Sequence, residues 1–215
     1  MSTGAVSPSR DGRHRVVLVA CGRPERGDDY VGARAVERLT PETREMVDVR
    51  IVTALGPESL VELPADVAVL IVDAVVGVEP GQIVDVDLAN LATLSGRAST
   101  TSTHQLPLDQ VVGLAGLLRE RPLEGRFLGV GIEDVSLGAG LSPTVLAVLP
   151  EMGRMIGSAL SDLVAGNWRR EGPPRIPGPR SLSASSTESG PTDPEDGASP
   201  VMKDVAPSIS RASAR

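Results

Sequence analysis

Two kinds of hydrophobic pattern alternate along the chain. The runs "RVVLVAC" at Arg15–Cys21 and "VAVLIV" at Val67–Val72 are continuously apolar and rich in valine, the mark of strands buried on both faces of a parallel sheet. "VDVRIVTAL" at Val47–Leu55 alternates apolar and polar residues, as a half-buried strand does. "PGQIVDVDL" at Pro80–Leu88 predicts a turn and an alternating strand at a sheet edge, and Phe127–Ile132 predicts a glycine-interrupted strand. Between them runs the period of helices. Val31, Ala35 and Leu39 share one face, as do Leu108, Val111, Val112, Ala115 and Leu118 behind Pro107. A last helix is expected from Ser142, with Pro143 in its first turn, to about Ala165, where Gly166 closes it. "GPESLVELP" predicts a turn with one helical turn. Strands alternating with helices imply an α/β fold, a single doubly wound domain whose mostly parallel sheet is covered on both faces.

Composition sets the limits of that domain. From Glu171 to Arg215 the chain turns to proline, serine, glycine and mixed charge, with too few apolar residues to offset the entropy of ordering. Residues 171–215 are therefore expected to form a disordered tail and residues 1–13 a short disordered leader, leaving a body of 14–170. Tyr30, Phe127 and Trp168 are the only aromatics, so the core must be aliphatic and no stacking surface for bases exists. The net charge of −7, carried mainly by the body, also argues against nucleic acid. Cys21 is the single cysteine, which excludes an internal disulfide and agrees with a reducing compartment. "LVAC" at Leu18–Cys21 imitates a lipoprotein cleavage box, but five apolar residues between Arg15 and Cys21 are too few for a secretory core segment. No apolar run is long enough to span a bilayer. The expectation is a cytoplasmic protein with no membrane partner, monomeric because no apolar stripe is left over.

The chemistry lies between the first strand and first helix and at two matching positions downstream. Asp28 and Asp29 precede the first helix, Asp73 closes the second buried strand, and His104 stands in the loop before the helix that starts near Pro107. Each has a plain structural explanation: a helix-cap or first-turn acid for Asp29, a turn cap for Asp73, a surface imidazole for His104. Together they fall on strand C-terminal ends or helix starts, the edge where open α/β sheets gather their sites. Two carboxylates and an imidazole suit a borderline divalent ion such as nickel, zinc, cobalt or iron, and the set does not choose among them. Gly22, Gly27 and Gly32 are five apart, unlike a dinucleotide loop, and the acidic pair would repel a pyrophosphate. "RGD" at Arg26–Asp28 is a chance tripeptide, and no Ser-His-Asp or Cys-His set supports a small-molecule hydrolase.

With these residues in view, the chain resembles the hydrogenase maturation endopeptidases over residues 15–165. "CGRPERGDDYVG" is similar to the family's glycine loop and acidic pair, "VLIVDAVVG" to its second acidic segment, "STHQLPLDQVV" to its histidine segment, and "GLSPTVLAVLPEM" to the start of its last helix. The resemblance implies a five-stranded sheet between helices and an aspartic-type endopeptidase. Such an enzyme removes the C-terminal extension of a nickel-iron hydrogenase large-subunit precursor after nickel insertion, and the nickel it recognises is supplied by that substrate. Asp29, Asp73 and His104 would contact nickel, with Asp28 holding the loop or orienting water. Arg23 stands where the family commonly has asparagine, placing a guanidinium within reach of Asp28 or Asp29, and Tyr30 stands where glycine is common. These departures motivate an alternative, a checkpoint protein that keeps the metal edge and binds the precursor without cutting it.

Overall fold

The computed structural model describes residues 15–93, 99–100 and 106–167; the expected leader and tail and His104 lie outside them. The first valine-rich run forms β1 (Arg15–Cys21), with every residue after Arg15 buried. The chain continues through α1 (Val31–Val36), α2 (Pro41–Glu45), β2 (Asp48–Val52), α3 (Pro57–Val61), β3 (Val67–Val76), β4 (Ile83–Asp87), β5 (Ser99–Thr100), α4 (Leu108–Leu118), β6 (Gly125–Gly131) and α5 (Pro143–Val164). Five strands lie in the order β2-β1-β3-β6-β4. All pairings along this path are parallel except that of β4, which runs antiparallel to β6 at the edge. The two-residue β5 adds antiparallel to the far end of β3. The mostly parallel five-stranded sheet between helices is thus present, with β5 a small addition that no periodicity announced.

Each face of the sheet carries its own apolar layer, because successive side chains of a buried strand point to opposite sides. Leu18, Leu70 and Leu128 pack with Ala35 of α1 and Leu149, Met152, Ile156 and Leu160 of α5. Val19, Ile71 and Phe127 pack on the other side with Leu60 of α3 and Val111 and Ala115 of α4. From β1 the chain crosses to β2 on one side, while β3 lies on the other. The reversal of strand order falls between β1 and β3, and the crevice at their C-terminal ends is where an α/β sheet opens a site.

Four expectations need correction. β3 does not end at Asp73 but runs on to Val76, because β6 continues to pair with it, Asp73 opposite Gly129 and Val75 opposite Gly131, and β5 pairs beyond. On its other side the last pair with β1 is Ala20 with Val72, so Asp73 stands just past the end of that ladder. The first helix begins as a 3-10 turn, Gly27–Tyr30, and α1 itself ends at Val36. Leu118, expected on the buried face of α4, is 61% exposed. Arg119 takes the inward position instead, and its Nη atoms donate to the carbonyls of Leu60 (3.0 Å), Val61 (3.1 Å) and Pro64 (2.8 Å) at the end of α3. Finally, Leu114, Leu117 and Leu118 form an exposed apolar group on α4, so the expectation that no such stripe remains fails; it was the premise of the monomer.

The opposite end of the sheet, where β6 begins, buries a second set of charges. Arg126 is only 2% exposed and its Nε donates to Asp85 Oδ1 at 3.1 Å, with Nη2 on the other Asp85 oxygen. Nη1 reaches Asp162 of α5 at 3.3 Å. Nothing in the local sequence signals this pairing, whose members lie 41 and 36 positions from Arg126.

Candidate functional site

The loop after β1 must turn sharply to bring its acids back over the sheet. Gly22 makes that turn at φ +133°, and a Cβ there would lie 2.0 Å from the Asp29 carbonyl oxygen, so only glycine fits. The 3-10 turn that follows buries Asp28 and Asp29 completely. Neither caps α1: the cap residue is Tyr30, which makes no side-chain cap bond. Asp29 is therefore not the cap of α1, but it is an acid in the first turn of the 3-10 segment, as the other half of that explanation expects.

The two neighbouring acids do different things. The Asp28 carboxylate accepts three backbone N–H bonds from a loop more than a hundred residues away: Glu133 (3.2 Å) and Asp134 (3.1 Å) on Oδ2, and Ser142 (2.6 Å) on Oδ1. Its own N–H donates to the Asp134 carbonyl at 2.8 Å. Three donors converging on two oxygens fit a carboxylate and not an amide. Asp28 is thus the clamp between the β1–α1 loop and the β6–α5 loop, and among the described residues no cation pairs with it. The Asp29 carboxylate instead accepts the Arg23 backbone N–H at 2.9 Å, folding the loop around itself.

Asp73 is 1% exposed and accepts the Ala74 N–H at 2.8 Å. By the alternation of β3 it shares a sheet face with Ile71 and Val75, the face covered by α3 and α4. Cys21, the last residue of β1, lies on the same face. Its thiol is held well above the ordinary range, first by burial and then by the negative charges of Asp73 and Asp29. Asp29 lies against Gly22, the residue after β1, and Asp73 follows the last β1–β3 pair, so both acids stand at the end of β1. A thiol so placed stays protonated and is no nucleophile.

The structure brings Asp28, Asp29 and Asp73 to one edge at the reversal point and leaves His104 outside the described residues. Among the described residues no group of three or more histidine, cysteine, aspartate and glutamate side chains is assembled to hold a metal ion. Two carboxylates at this edge can supply oxygen donors, or hold a proton or a water. The Arg23 guanidinium forms no ion pair with Asp28 or Asp29 among the described residues; its contribution is the backbone N–H. Tyr30 takes φ −83° and ψ 8°, open to any L residue, so glycine's freedom is not needed there. Sequence reasoning missed the β6–α5 loop as the partner of Asp28, since no local signal links positions so far apart.

Fold and site together define an α/β protein with a buried acidic edge at its switch point. The family model described as hydrogenase maturation protease matches residues 33–159, more than half of the chain. The chain belongs to the hydrogenase maturation protease family, whose members are endopeptidases. The matched span takes in positions 73 and 104 and begins four residues after Asp29. Among solved structures, the hydrogenase maturating endopeptidase HybD from E. coli is similar at 26% identity, covering 69% of this chain and 93% of that one, with a TM-score of 0.57. HybD from Thermococcus kodakarensis (20% identity, 67% and 97% covered, TM-score 0.55) and an endopeptidase from Escherichia coli (24%, 69% and 93%, TM-score 0.54) share the fold. No curated protein matches the sequence. Among the described residues, no helix is long and apolar enough to cross a membrane.

Proposed function

We propose that this protein is the endopeptidase that removes the C-terminal extension of a nickel-iron hydrogenase large-subunit precursor, and that it recognises the nickel already bound in that substrate through Asp29, Asp73 and His104. The observation that carries the reading is the placement of Asp29 and Asp73 at the end of β1, where the strand order reverses: the Asp29 carboxylate accepts the N–H of Arg23, two residues past that strand, and Asp73 follows the last β1–β3 pair, Ala20 with Val72. His104 lies outside the described residues and enters the proposal through the family resemblance of its segment, "STHQLPLDQVV".

Asp29 is shaped by its own loop and Asp73 by its strand, so both carboxylates are fixed before substrate arrives, which lowers the cost of meeting an ion held by another protein. Asp29 and Asp73 would hold their oxygens toward a divalent ion carried by the precursor, which would supply polarisation of a carbonyl or a more acidic water, while the protein contributes orientation. The checkpoint alternative rested on Arg23 and Tyr30. With no ion pair between Arg23 and either acid among the described residues and tyrosine unstrained, that motivation weakens.

The test is incubation of the nickel-loaded precursor with the wild type, Asp73→Asn and His104→Ala, read by product mass. Release of one C-terminal peptide by the wild type alone supports the peptidase. Binding of the loaded precursor without any shortening would establish the checkpoint instead.

A further inference from the structure

The β6–α5 loop, residues 133–142, combines two properties that seldom coincide. It is tightly held, and it exposes apolar side chains. Besides the three bonds to the Asp28 carboxylate, the Asp28 N–H donates to Asp134 O (2.8 Å), the Gly27 N–H to Ala139 O (3.2 Å) and the Gly138 N–H to Glu25 O (2.8 Å). The approach is so close that a Cβ on Gly27 would lie 2.6 Å from the Asp134 carbonyl oxygen. Inside the loop, the Ser136 N–H donates to Asp134 Oδ1 at 2.8 Å and the Ala139 N–H to Ser136 O at 3.2 Å. On this braced frame Val135 is 38% and Leu137 77% exposed.

A single exposed leucine on a surface is ordinary. Ile132 and Leu141, near the two ends of the loop, pack against the core cluster of Val130, Val145 and Leu149, while Val135 and Leu137 stay exposed. The loop leaves β6 beside β3 and is bonded to residues 25–28, directly before Asp29. The loop therefore borders the acidic edge. A pre-ordered apolar projection beside a reaction centre loses little entropy on binding and serves as an anchor for a partner chain.

We infer that residues 133–142 are the substrate-docking loop, held by Asp28, with Leu137 and Val135 receiving an apolar segment of the precursor polypeptide next to the bond that is cut. The inference rests on the peptidase reading given above. It places these two side chains in substrate affinity and leaves the chemistry to the acidic edge.

The experiment compares wild type with Leu137→Ser and Val135→Ser/Leu137→Ser on the nickel-loaded precursor, measuring kcat and KM. It also measures precursor affinity of the same variants in an Asp73→Asn background, where cleavage does not obscure binding. The double variant is expected to raise KM and weaken affinity at least ~10-fold, with kcat within about twofold and an unchanged melting temperature, because two exposed apolar contacts are lost and no fold-bearing group is touched. Unchanged KM and affinity overturn the docking role while leaving the peptidase in place, and so does a fall in kcat at constant KM. A wild type that neither binds nor cuts the precursor overturns the reading on which the inference rests, a result distinct from both.

Discussion

The two ends of the sheet bury acids in opposite ways. At the end where β6 begins, Asp85 and Asp162 share a buried cation, Arg126, whose guanidinium fork satisfies both. At the C-terminal end of β1 and β3, Asp28 is held by backbone N–H groups alone among the described residues, and Asp29 and Asp73 each take a backbone N–H as well. A carboxylate paired with a side-chain cation has its charge answered within the core and serves to join β4, β6 and α5. A carboxylate shaped by backbone is fixed in position by loops that fold around it, which suits recognition. The first end is built for stability and the second for position.

The contrast is sharpest at Asp73. Replacing it by the near-isosteric asparagine is expected to lower precursor processing more than ~100-fold, the loss of several kcal/mol of ion contact, while thermal melting moves by only a few degrees. A parallel loss of fold, seen by circular dichroism, would make Asp73 a structural residue and erase the difference between the two ends.

At the other end the order of effects reverses. Arg126→Met strands Asp85 without its cation and is expected to cost about 3–5 kcal/mol, or roughly 10 °C in melting temperature, with kcat per folded molecule retained. Adding Asp85→Leu to Arg126→Met recovers most of that loss, since an apolar pair of similar volume replaces the ion pair. If the double variant is no more stable than the single, the pair is more than a mutual neutraliser.

Asp28 stands between the two cases. Asp28→Ala leaves the N–H groups of Glu133, Asp134 and Ser142 without their acceptor, an expected cost of about 2–4 kcal/mol. Hydrogen exchange resolves its locality: those amides speed up, while the β1 and β3 amides keep their protection until global unfolding. Arg119→Met, which uncaps the α3 carbonyls on a half-exposed surface, is worth about 1–2 kcal/mol in chemical denaturation. The smallest effect is at Cys21. Its raised thiol pKa and full burial predict no reaction with a thiol reagent at neutral pH in the native state and one equivalent after denaturation.

Much of this was readable from residue order. The valine runs of β1 and β3, the alternation in β4, the spacing along α4 and the Ser142–Pro143 opening of α5 are local signals, and each produced the expected element, because burial on one or two faces imposes a period that neighbours in sequence reveal. The Ser142 hydroxyl accepts the Val145 N–H at 3.3 Å, and Gly166 lies at φ +81° just past the helix, as capping chemistry requires. The acidic candidates were legible for the same reason: Asp73 interrupts the apolar run of β3 and Asp29 precedes the apolar period of α1. Where local signals competed with long-range pairing, the sequence misled. Asp73 looked like the end of a strand because charge ends an apolar run, yet β6 and β5 extend the ladder to Val76.

By itself, then, the sequence determined the α/β alternation, the two apolar layers and the edge on which acids collect, since these follow from periodicity and from the right-handed crossing of parallel strands. Only the tertiary structure decided the role of each acid. Whether a carboxylate meets a guanidinium 41 positions away or the backbone of a loop more than a hundred positions away depends on strand order and crossover, which bring together donors and acceptors that no local pattern connects.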